Sequence, residues 1–249
     1  MSITPDSHSA WSGSPPLKSG LCIQRPDPQQ AEVGTLSVAV TFDSGTYFAT
    51  ARHVVGNPPD HVEAMPIYRS TGKWEPTNAL QLLTPELEPG AQALLGELDL
   101  SFMKAGVAVQ NVPPDAARVS ASIGVATEGA DLWIRGCRHP RWIQTTYLRA
   151  FEPEDEADFL PGLRRDHAGI VDLTPLGAAS DQPGNSGSAL WLRVGDVWCA
   201  VGHLVAVSKR APKGLIVLYR SAFEALGFGM TCVVTNSTAN AANLAPVPA

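Results

Sequence analysis

The sequence predicts an all-β protein, a barrel or a sandwich, on three observations. Short segments alternate with a period of two, as in Thr35 to Phe42, where Leu36, Val38, Val40 and Phe42 would share one face of a strand. Glycine and proline, 22 and 21 in number, separate many of these segments. Helical periodicity is scarce. Many short strands divided by turn residues are typical of closed or stacked β-sheets.

The remaining elements follow the same pattern along the chain. A turn at Gly195 and Asp196 is expected to join the last two strand candidates as a hairpin. A short C-terminal helix is expected near Ser221, because Ser221 and Glu224 form a possible capping box. The further strand candidates are Leu100 to Met103, Leu132 to Arg135, Ile170 to Leu173, Ala189 to Arg193 and Val197 to Val205.

Length and composition bound the possible classes of protein. A chain of 249 residues that is 44% hydrophobic and 17% charged is long enough for one large β unit with two cores or for two small domains, and a single functional unit is expected. The formal charge of -6 would repel a phosphate backbone, so nucleic acid is not an expected partner. No apolar run reaches the length that spans a bilayer, so no membrane partner is expected.

The two ends of the chain read as flexible tails. Residues 1–17 are rich in serine and proline, and residues 235–249 are small and uncharged, which leaves 18–234 as the folded unit. The first 14 residues lack a basic stretch followed by an apolar core. We therefore expect a cytoplasmic protein, while secretion is not excluded.

The four cysteines, at 22, 137, 199 and 232, form no Cys-x-x-Cys pair, so no metal site is expected. We expect buried free thiols in a reducing compartment. Secretion would instead allow two disulfides whose pairing the sequence does not decide. The acidic stretch 152–158 has five carboxylates in seven residues and is expected to be a solvated loop.

The most specific segment, residues 182–188, reads QPGNSGS. A serine nucleophile needs tight backbone around it and amide N-H groups aimed at the developing oxyanion, and Gly184 and Gly187 permit such a turn. By itself a Gly-x-Ser-Gly sequence is a common turn. Ser186 therefore needs partners before it can be assigned chemistry.

Two partners are present. His53, in Thr50-Ala-Arg-His-Val54, follows an apolar stretch and is a candidate general base. Asp99 is flanked by Leu98 and Leu100, and a buried carboxylate there would need a hydrogen bond such as the one that holds the imidazole tautomer. The chain order is His, Asp, Ser, with 46 residues from 53 to 99 and 87 from 99 to 186.

Together these motifs resemble the chymotrypsin-like (trypsin-like) serine proteases, nearest in motif to the bacterial glutamyl-endopeptidase type. The order is the one of that family and differs from those of subtilisins and α/β-hydrolases. The resemblance implies two six-stranded antiparallel β-barrels, about 18–115 and 116–234, followed by a short helix. It implies a triad of His53, Asp99 and Ser186, an oxyanion hole from the N-H groups of Gly184 and Ser186, no cofactor, and a peptide or protein substrate.

The resemblance also places the specificity pocket. It would be lined before the serine by Ser180, Asp181 and Gln182, and after it by Val205, Ala206, Val207 and Gly214. Asp181 would favour Arg or Lys in the substrate, whereas Val207 would narrow the pocket for small or medium side chains. His203 would match glutamyl specificity, but it lies one residue from the matching position, Leu204, and strand alternation turns it to the other face.

The chain departs from the zymogen-activated members of this family. Residue 185 is Asn where those members have an Asp that pairs with a new N-terminus, so activation by trimming is not expected. Control by a partner protein becomes a hypothesis. Two other functions stay open, a catalytically silent trypsin-like binding or scaffold module and an esterase that uses the same triad.

Overall fold

The computed structural model of the chain describes residues 17–25, 32–56, 67–68, 74–75, 80–87, 90–115, 118–137, 139–159, 165–180, 183–228 and 244–245. Within these ranges strands dominate and the helices are short, which confirms the all-β prediction. No helix in the same ranges is both long and apolar enough to cross a bilayer.

The N-terminal half builds two four-stranded sheets. Its strands, β1 to β10 in chain order, are Leu17–Lys18, Cys22–Gln24, Val33–Thr35, Ala39–Phe42, Gly45–Ala51, Ile67–Tyr68, Trp74–Glu75, Leu80–Leu82, Leu100–Ala105 and Val109–Gln110. One sheet has the order β3-β2-β6-β7 and the other β4-β5-β9-β8, while β1 pairs with β10. Helix α1 (Arg52–Val55) follows β5, and helix α2 (Ala91–Glu97) precedes β9. Buried side chains from both sheets share one core.

The C-terminal half closes into a barrel. Its strands, β11 to β17, are Arg118–Ser120, Asp131–Gly136, His139–Ala150, Ala168–Asp172, Ala189–Val194, Val197–Val207 and Lys213–Leu218. Six of them follow the order β15-β12-β13-β14-β17-β16, and β15 also pairs with β16, which closes the ring. Short 3-10 helices span Pro153–Ala157, Arg165–His167 and Thr174–Ala179. The expected C-terminal helix is α3, Tyr219–Ala225. A strand β18, Leu244–Ala245, pairs with β11.

A separate core joins the two halves. Tyr47 and Phe102 of the N-terminal half pack there with Trp191, Tyr219 and Phe223 of the C-terminal half. The rings of Tyr219 and Phe223 stack at 5.0 Å, and Phe102 lies 5.9 Å from Phe223. Because large aromatic faces are removed from water on both sides, this core holds the halves in a fixed relation.

Two predicted elements have different bounds from those expected. The strand predicted from Thr35 to Phe42 is two strands, β3 and β4, with a bend at 36–38. Leu36 lies in the N-terminal core and Val38 in the core between the halves, so the two side chains do not share a face. The predicted capping box is also wrong, because α3 begins at Tyr219 and Ser221 lies inside it.

The prediction of free thiols is wrong for two cysteines. Cys22 of β2 and Cys137, which follows β12, form a disulfide across a separation of 115 residues. The bridge therefore links the N-terminal half to the C-terminal barrel. Cys199 is a buried free thiol as expected, and burial raises its pKa. Cys232 lies outside the described residues.

The acidic stretch 152–158 differs from the predicted solvated loop. It holds the 3-10 helix Pro153–Ala157, and Asp155 is 6% exposed. Both carboxylate oxygens of Asp155 accept hydrogen bonds from the Arg149 guanidinium, at 2.6 and 2.8 Å. Burial raises the pKa of Asp155, but these bonds lower it by more, so the carboxyl is charged. The pairing with Arg149 is what makes this burial tolerable.

Candidate active site

His53 lies in α1, the single helical turn that follows β5. This turn starts directly after the last strand residue, Ala51, so the ring is carried on the rim of the N-terminal half. Arg25 holds the turn from behind: its Nε donates to the Val54 carbonyl oxygen at 3.1 Å, and its Nη2 donates to the His53 carbonyl oxygen. The ring position is therefore supported by main-chain contacts as well as by its own hydrogen bonds.

Asp99 lies just before β9 and is 8% exposed. Its backbone φ of 46° is in the left-handed region, which Asp tolerates better than most residues. This conformation aims both carboxylate oxygens at His53: Oδ1 accepts the His53 main-chain N-H at 2.8 Å, and Oδ2 accepts Nδ1-H at 2.6 Å. The second bond fixes the proton on Nδ1 and leaves Nε2 as an acceptor.

Ser186 lies in a tight turn between Gly184 and Gly187, whose φ values of 106° and 86° are open to glycine. A Cβ on Gly187 would approach the Thr35 carbonyl oxygen to 2.2 Å, so no other residue fits there. Ser186 Oγ lies 2.9 Å from His53 Nε2 and 3.3 Å from the Val205 carbonyl oxygen. The structure thus brings the three predicted triad residues into one hydrogen-bonded line.

The environment of His53 shifts its pKa. Burial lowers the pKa of this imidazole, but the hydrogen bond and the negative charge of Asp99 raise it by more. The net pKa lies above the ordinary value of 6.5. A carboxylate beside the ring therefore makes it a stronger base toward the Ser186 hydroxyl.

The predicted oxyanion donors are available. Among the described residues, neither the Gly184 N-H nor the Ser186 N-H donates to a protein acceptor. Thr35 of β3 anchors the same turn from the N-terminal half: its N-H donates to the Ser186 carbonyl oxygen at 2.8 Å, and its hydroxyl donates to the Gly184 carbonyl oxygen at 2.6 Å. Cys137 N-H donates to the Thr35 hydroxyl oxygen at 3.0 Å.

Sequence reasoning missed Arg25 and Thr35. Each contacts the site from a strand or loop far away in the chain, Arg25 at 28 residues from His53 and Thr35 at 149 from Gly184. Neither belongs to a local motif, so no sequence signal points to them. Both act on main-chain carbonyl groups, which any residue at the partner position would offer.

The predicted pocket residues are only partly brought together. Ser180 and Val207 line one surface cavity of about 810 Å³, beside the end of β16. Val205 is buried in the core between the halves, and Ala206 packs against that core. Gly214 is buried too, and a Cβ there would meet Leu204 and Leu173. Asp181 and Gln182 lie outside the described residues.

Other features of this region were not expected from the sequence. Lys209 and Arg210 line the same cavity, and Arg210 forms an ion pair with Asp158 at 3.2 Å. His203 is fully buried against the Tyr219 ring, at 5.5 Å between centroids, and burial lowers its pKa to about 4. It does not line the cavity, as strand alternation predicts. In the part of the chain that the structure describes, no cluster of three metal-ligating side chains occurs.

Comparison with proteins of known structure identifies the fold. No protein-family model matches the chain, and no curated protein sequence matches it. Among solved structures, Protease A of Thermobifida fusca superposes with a TM-score of 0.52 at 12% identity, over 89% of this chain and 100% of its own. A glutamic acid specific serine protease that uses a histidine triad in substrate binding gives a TM-score of 0.53 at 14% identity, over 85% of this chain and 98% of its own.

These likenesses establish the fold. The chain has a chymotrypsin-like fold, with a closed six-stranded barrel in the C-terminal half and a helix after it. In the N-terminal half, where a second six-stranded barrel was expected, the described strands form two four-stranded sheets around one core. The nearness to glutamyl endopeptidases inferred from the motifs stays a prediction. So do the domain boundaries, the roles of the site residues and the expected absence of cofactors.

Proposed function

We propose that this protein is a serine endopeptidase that cleaves peptide bonds through an acyl-enzyme intermediate. The observation that carries the proposal is the line from Asp99 Oδ2 through His53 to Ser186 Oγ, with distances of 2.6 and 2.9 Å. Each group has the hydrogen-bond role that acyl transfer needs. The protease fold around the site supports the same assignment.

The first half of the reaction follows from this geometry. Ser186 Oγ attacks the substrate carbonyl carbon while His53 Nε2 takes the hydroxyl proton, and the negative charge moves to the former carbonyl oxygen. The N-H groups of Gly184 and Ser186 would donate to that oxyanion. Asp99 stabilises the imidazolium that forms and stays ionised.

Collapse of the tetrahedral intermediate completes the acylation. The C-N bond breaks as His53 Nε2-H passes its proton to the leaving amine, and the acyl group stays on Ser186 as an ester. In the second half water attacks this ester while His53 Nε2 takes a proton from the water. The ester C-O bond then breaks, His53 returns the proton to Ser186 Oγ, and the acyl group leaves as a carboxylic acid.

A strand edge beside the site favours peptides over simple esters. Among the described residues, Ala206 and Val207 of β16 pair only with β17, and the pairing of β16 with β15 stops at His203. The opposite edge therefore has main-chain groups that an extended peptide could pair with. Lys209 and Arg210 in the adjacent cavity weigh against basic substrate side chains and favour acidic ones there.

The test is cleavage of a mixed peptide library by the purified protein and by Ser186→Ala, together with labelling by a fluorophosphonate. We expect labelling of Ser186 and a cleavage pattern that Ser186→Ala loses by about 10³-fold or more. Ser120→Ala, which removes another buried serine hydroxyl, is the matched control and should leave both readouts unchanged.

Each outcome decides between the proposal and its alternatives. Hydrolysis of acyl esters without peptide cleavage would indicate an esterase. No labelling and no cleavage would indicate a catalytically silent binding module. A wild-type cleavage pattern in Ser186→Ala would show that the activity comes from elsewhere.

A further inference from the structure

Three buried polar side chains come close together at residues 183–188, which we call the oxyanion loop. They are His139 at the start of β13, and Asn185 and Ser188 of the loop itself. His139 is 6% exposed, Asn185 3% and Ser188 0%. Burial of three polar groups at one point is costly unless they satisfy one another.

Gly136 marks the point where they meet. A Cβ on Gly136 would lie 2.5 Å from Ser188 Oγ, 2.8 Å from His139 Nε2 and 3.1 Å from Asn185 Oδ1. The space that glycine leaves empty is what lets these three atoms approach one another.

The hydrogen bonds of His139 fix its tautomer. The Gly136 N-H donates to His139 Nδ1 at 3.1 Å, so Nδ1 has no proton and Nε2 has one. Nε2-H faces the Asn185 amide, which raises the pKa of His139 as a hydrogen-bond acceptor does. Within the described ranges, neither His139 Nε2 nor Ser188 Oγ has a well-aligned hydrogen-bond partner.

The orientation of the Asn185 amide agrees with this assignment. Its Nδ2 donates to the Ser180 carbonyl oxygen at 3.0 Å, which leaves Oδ1 as the acceptor that faces His139. The Asn185 carbonyl oxygen also accepts the Ser188 N-H at 2.9 Å. One residue of the loop is thus held through its main chain and through its Nδ2, with its Oδ1 turned toward His139.

We propose that His139 is a positioning residue of the oxyanion loop: through its Nε2-H it holds Asn185, and so keeps the N-H groups of Gly184 and Ser186 aimed at the substrate. This inference rests on the proposed endopeptidase function. It explains how a chain with Asn at position 185 keeps the loop in place by a neutral hydrogen bond instead of an ion pair.

The neutral state of His139 is part of the arrangement. Burial lowers the pKa of His139 to about 4, and its contacts with its own main chain and with the Asn185 amide offset this only in part. Arg135 of β12 is the charged group that faces it and lowers the pKa further, while the loop contributes the neutral Asn185 and Ser188. The bond to Asn185 therefore persists across the pH range in which His53 titrates.

The test compares three substitutions of His139, each of which keeps a different part of the imidazole. His139→Gln places an N-H near the position of Nε2, His139→Asn keeps an acceptor near Nδ1, and His139→Phe keeps only the ring. We expect kcat to fall by about 10²-fold in His139→Asn and His139→Phe, the range of a lost oxyanion donor, with KM changed less than threefold. We expect His139→Gln to stay within tenfold of wild type.

Two further readouts separate positioning from general damage. Amide hydrogen exchange of residues 183–188 should rise in His139→Phe and His139→Asn but not in His139→Gln, while the thermal unfolding of all three is compared. The pKa of His53, followed by NMR, should be unchanged in all three. Equal kcat in the three variants, or losses that track unfolding alone, would overturn the inference. Absence of cleavage and fluorophosphonate labelling in the wild type would instead overturn the proposed function.

Discussion

The two sides of the proposed active site are held in different ways. The base side, His53 and Asp99, depends on charge: a carboxylate bonded to an imidazole whose pKa it raises. The oxyanion side, Ser186 and its loop, is held by the neutral groups of Thr35 and Asn185, and by the contact that we propose for His139. The charged pair thus lies where the proposed reaction moves a proton, whereas neutral hydrogen bonds maintain the conformation of the oxyanion loop.

The largest expected effect comes from removing the charge on the base side. Asp99→Asn should lower kcat by about 10⁴-fold, because an amide can hold the wrong imidazole tautomer and cannot stabilise the imidazolium. Asn also tolerates the left-handed φ of 46°, so the backbone is preserved. Steady-state kinetics measure the loss, and the exposed Asp131→Asn is the control. A loss below tenfold would contradict the role given to Asp99.

Adding a charge to the oxyanion loop should have the next largest effect on kcat. In Asn185→Asp a carboxylate beside His139 would raise the pKa of that imidazole, and the proton it gains on Nδ1 would oppose the Gly136 N-H. We expect kcat to fall by about 10²-fold with little change in KM. Kinetics on the purified variant check this.

Asn111→Asp is the matched control for that substitution. Asn111 is also a buried amide, and it bonds the main chain of Ala39 through both Oδ1 and Nδ2, away from the oxyanion loop. It should lower the free energy of unfolding while the folded protein keeps its kcat. Equal kcat losses in both variants would show that a buried charge damages the protein in general.

The pH dependence should follow the base side alone. His53 must be neutral to accept the serine proton, so kcat/KM should rise about tenfold per pH unit up to a pKa that lies above 6.5. The effect on stability has the opposite sign: a raised folded-state pKa stabilises the fold fully below about pH 6.5, and this contribution is lost as pH rises through that pKa. A pH-rate profile and unfolding at several pH values measure both. A kinetic midpoint below 6.5 would contradict the assignment.

The smallest effect on activity is expected at the junction of the two halves. The Tyr219 hydroxyl and the Ser37 hydroxyl are hydrogen-bonded at 2.6 Å and fully buried. Tyr219→Phe leaves the Ser37 hydroxyl without this partner and should lower the free energy of unfolding by about 1–3 kcal/mol, with kcat changed less than twofold. Chemical denaturation checks the value. The half-buried Tyr68→Phe is the control, and an equal loss there would argue against the role of this bond.

How much the sequence reveals depends on whether the interaction is local. The strands, the closing helix and the segments around His53, Asp99 and Ser186 are local patterns, and each could be found from neighbouring residues. Arg25, Thr35 and His139 support those segments from distant parts of the chain. Their contacts are to main-chain groups or to one amide, so they leave no pattern in composition or spacing.

The disulfide is another contact between distant residues that the sequence did not reveal. Cys22 and Cys137 are 115 residues apart, and only the packing of the two halves brings their Cα atoms to 4.9 Å.

The capping box predicted at Ser221 was wrong because a side chain can match a local rule while a tertiary contact starts the helix earlier. In α3 that contact is Tyr219, buried between the halves.

The division of the triad between the two halves has a consequence for synthesis. His53 leaves the ribosome before Asp99, and Asp99 leaves it 87 residues before Ser186, a delay of roughly 4–17 s at ordinary elongation rates. During that interval the nascent chain has a base and no nucleophile. Even after Ser186 emerges, its turn lacks Thr35 and His53 until the halves dock. The proposed catalytic geometry is therefore incomplete in a polypeptide that is unfinished, or finished and not yet docked.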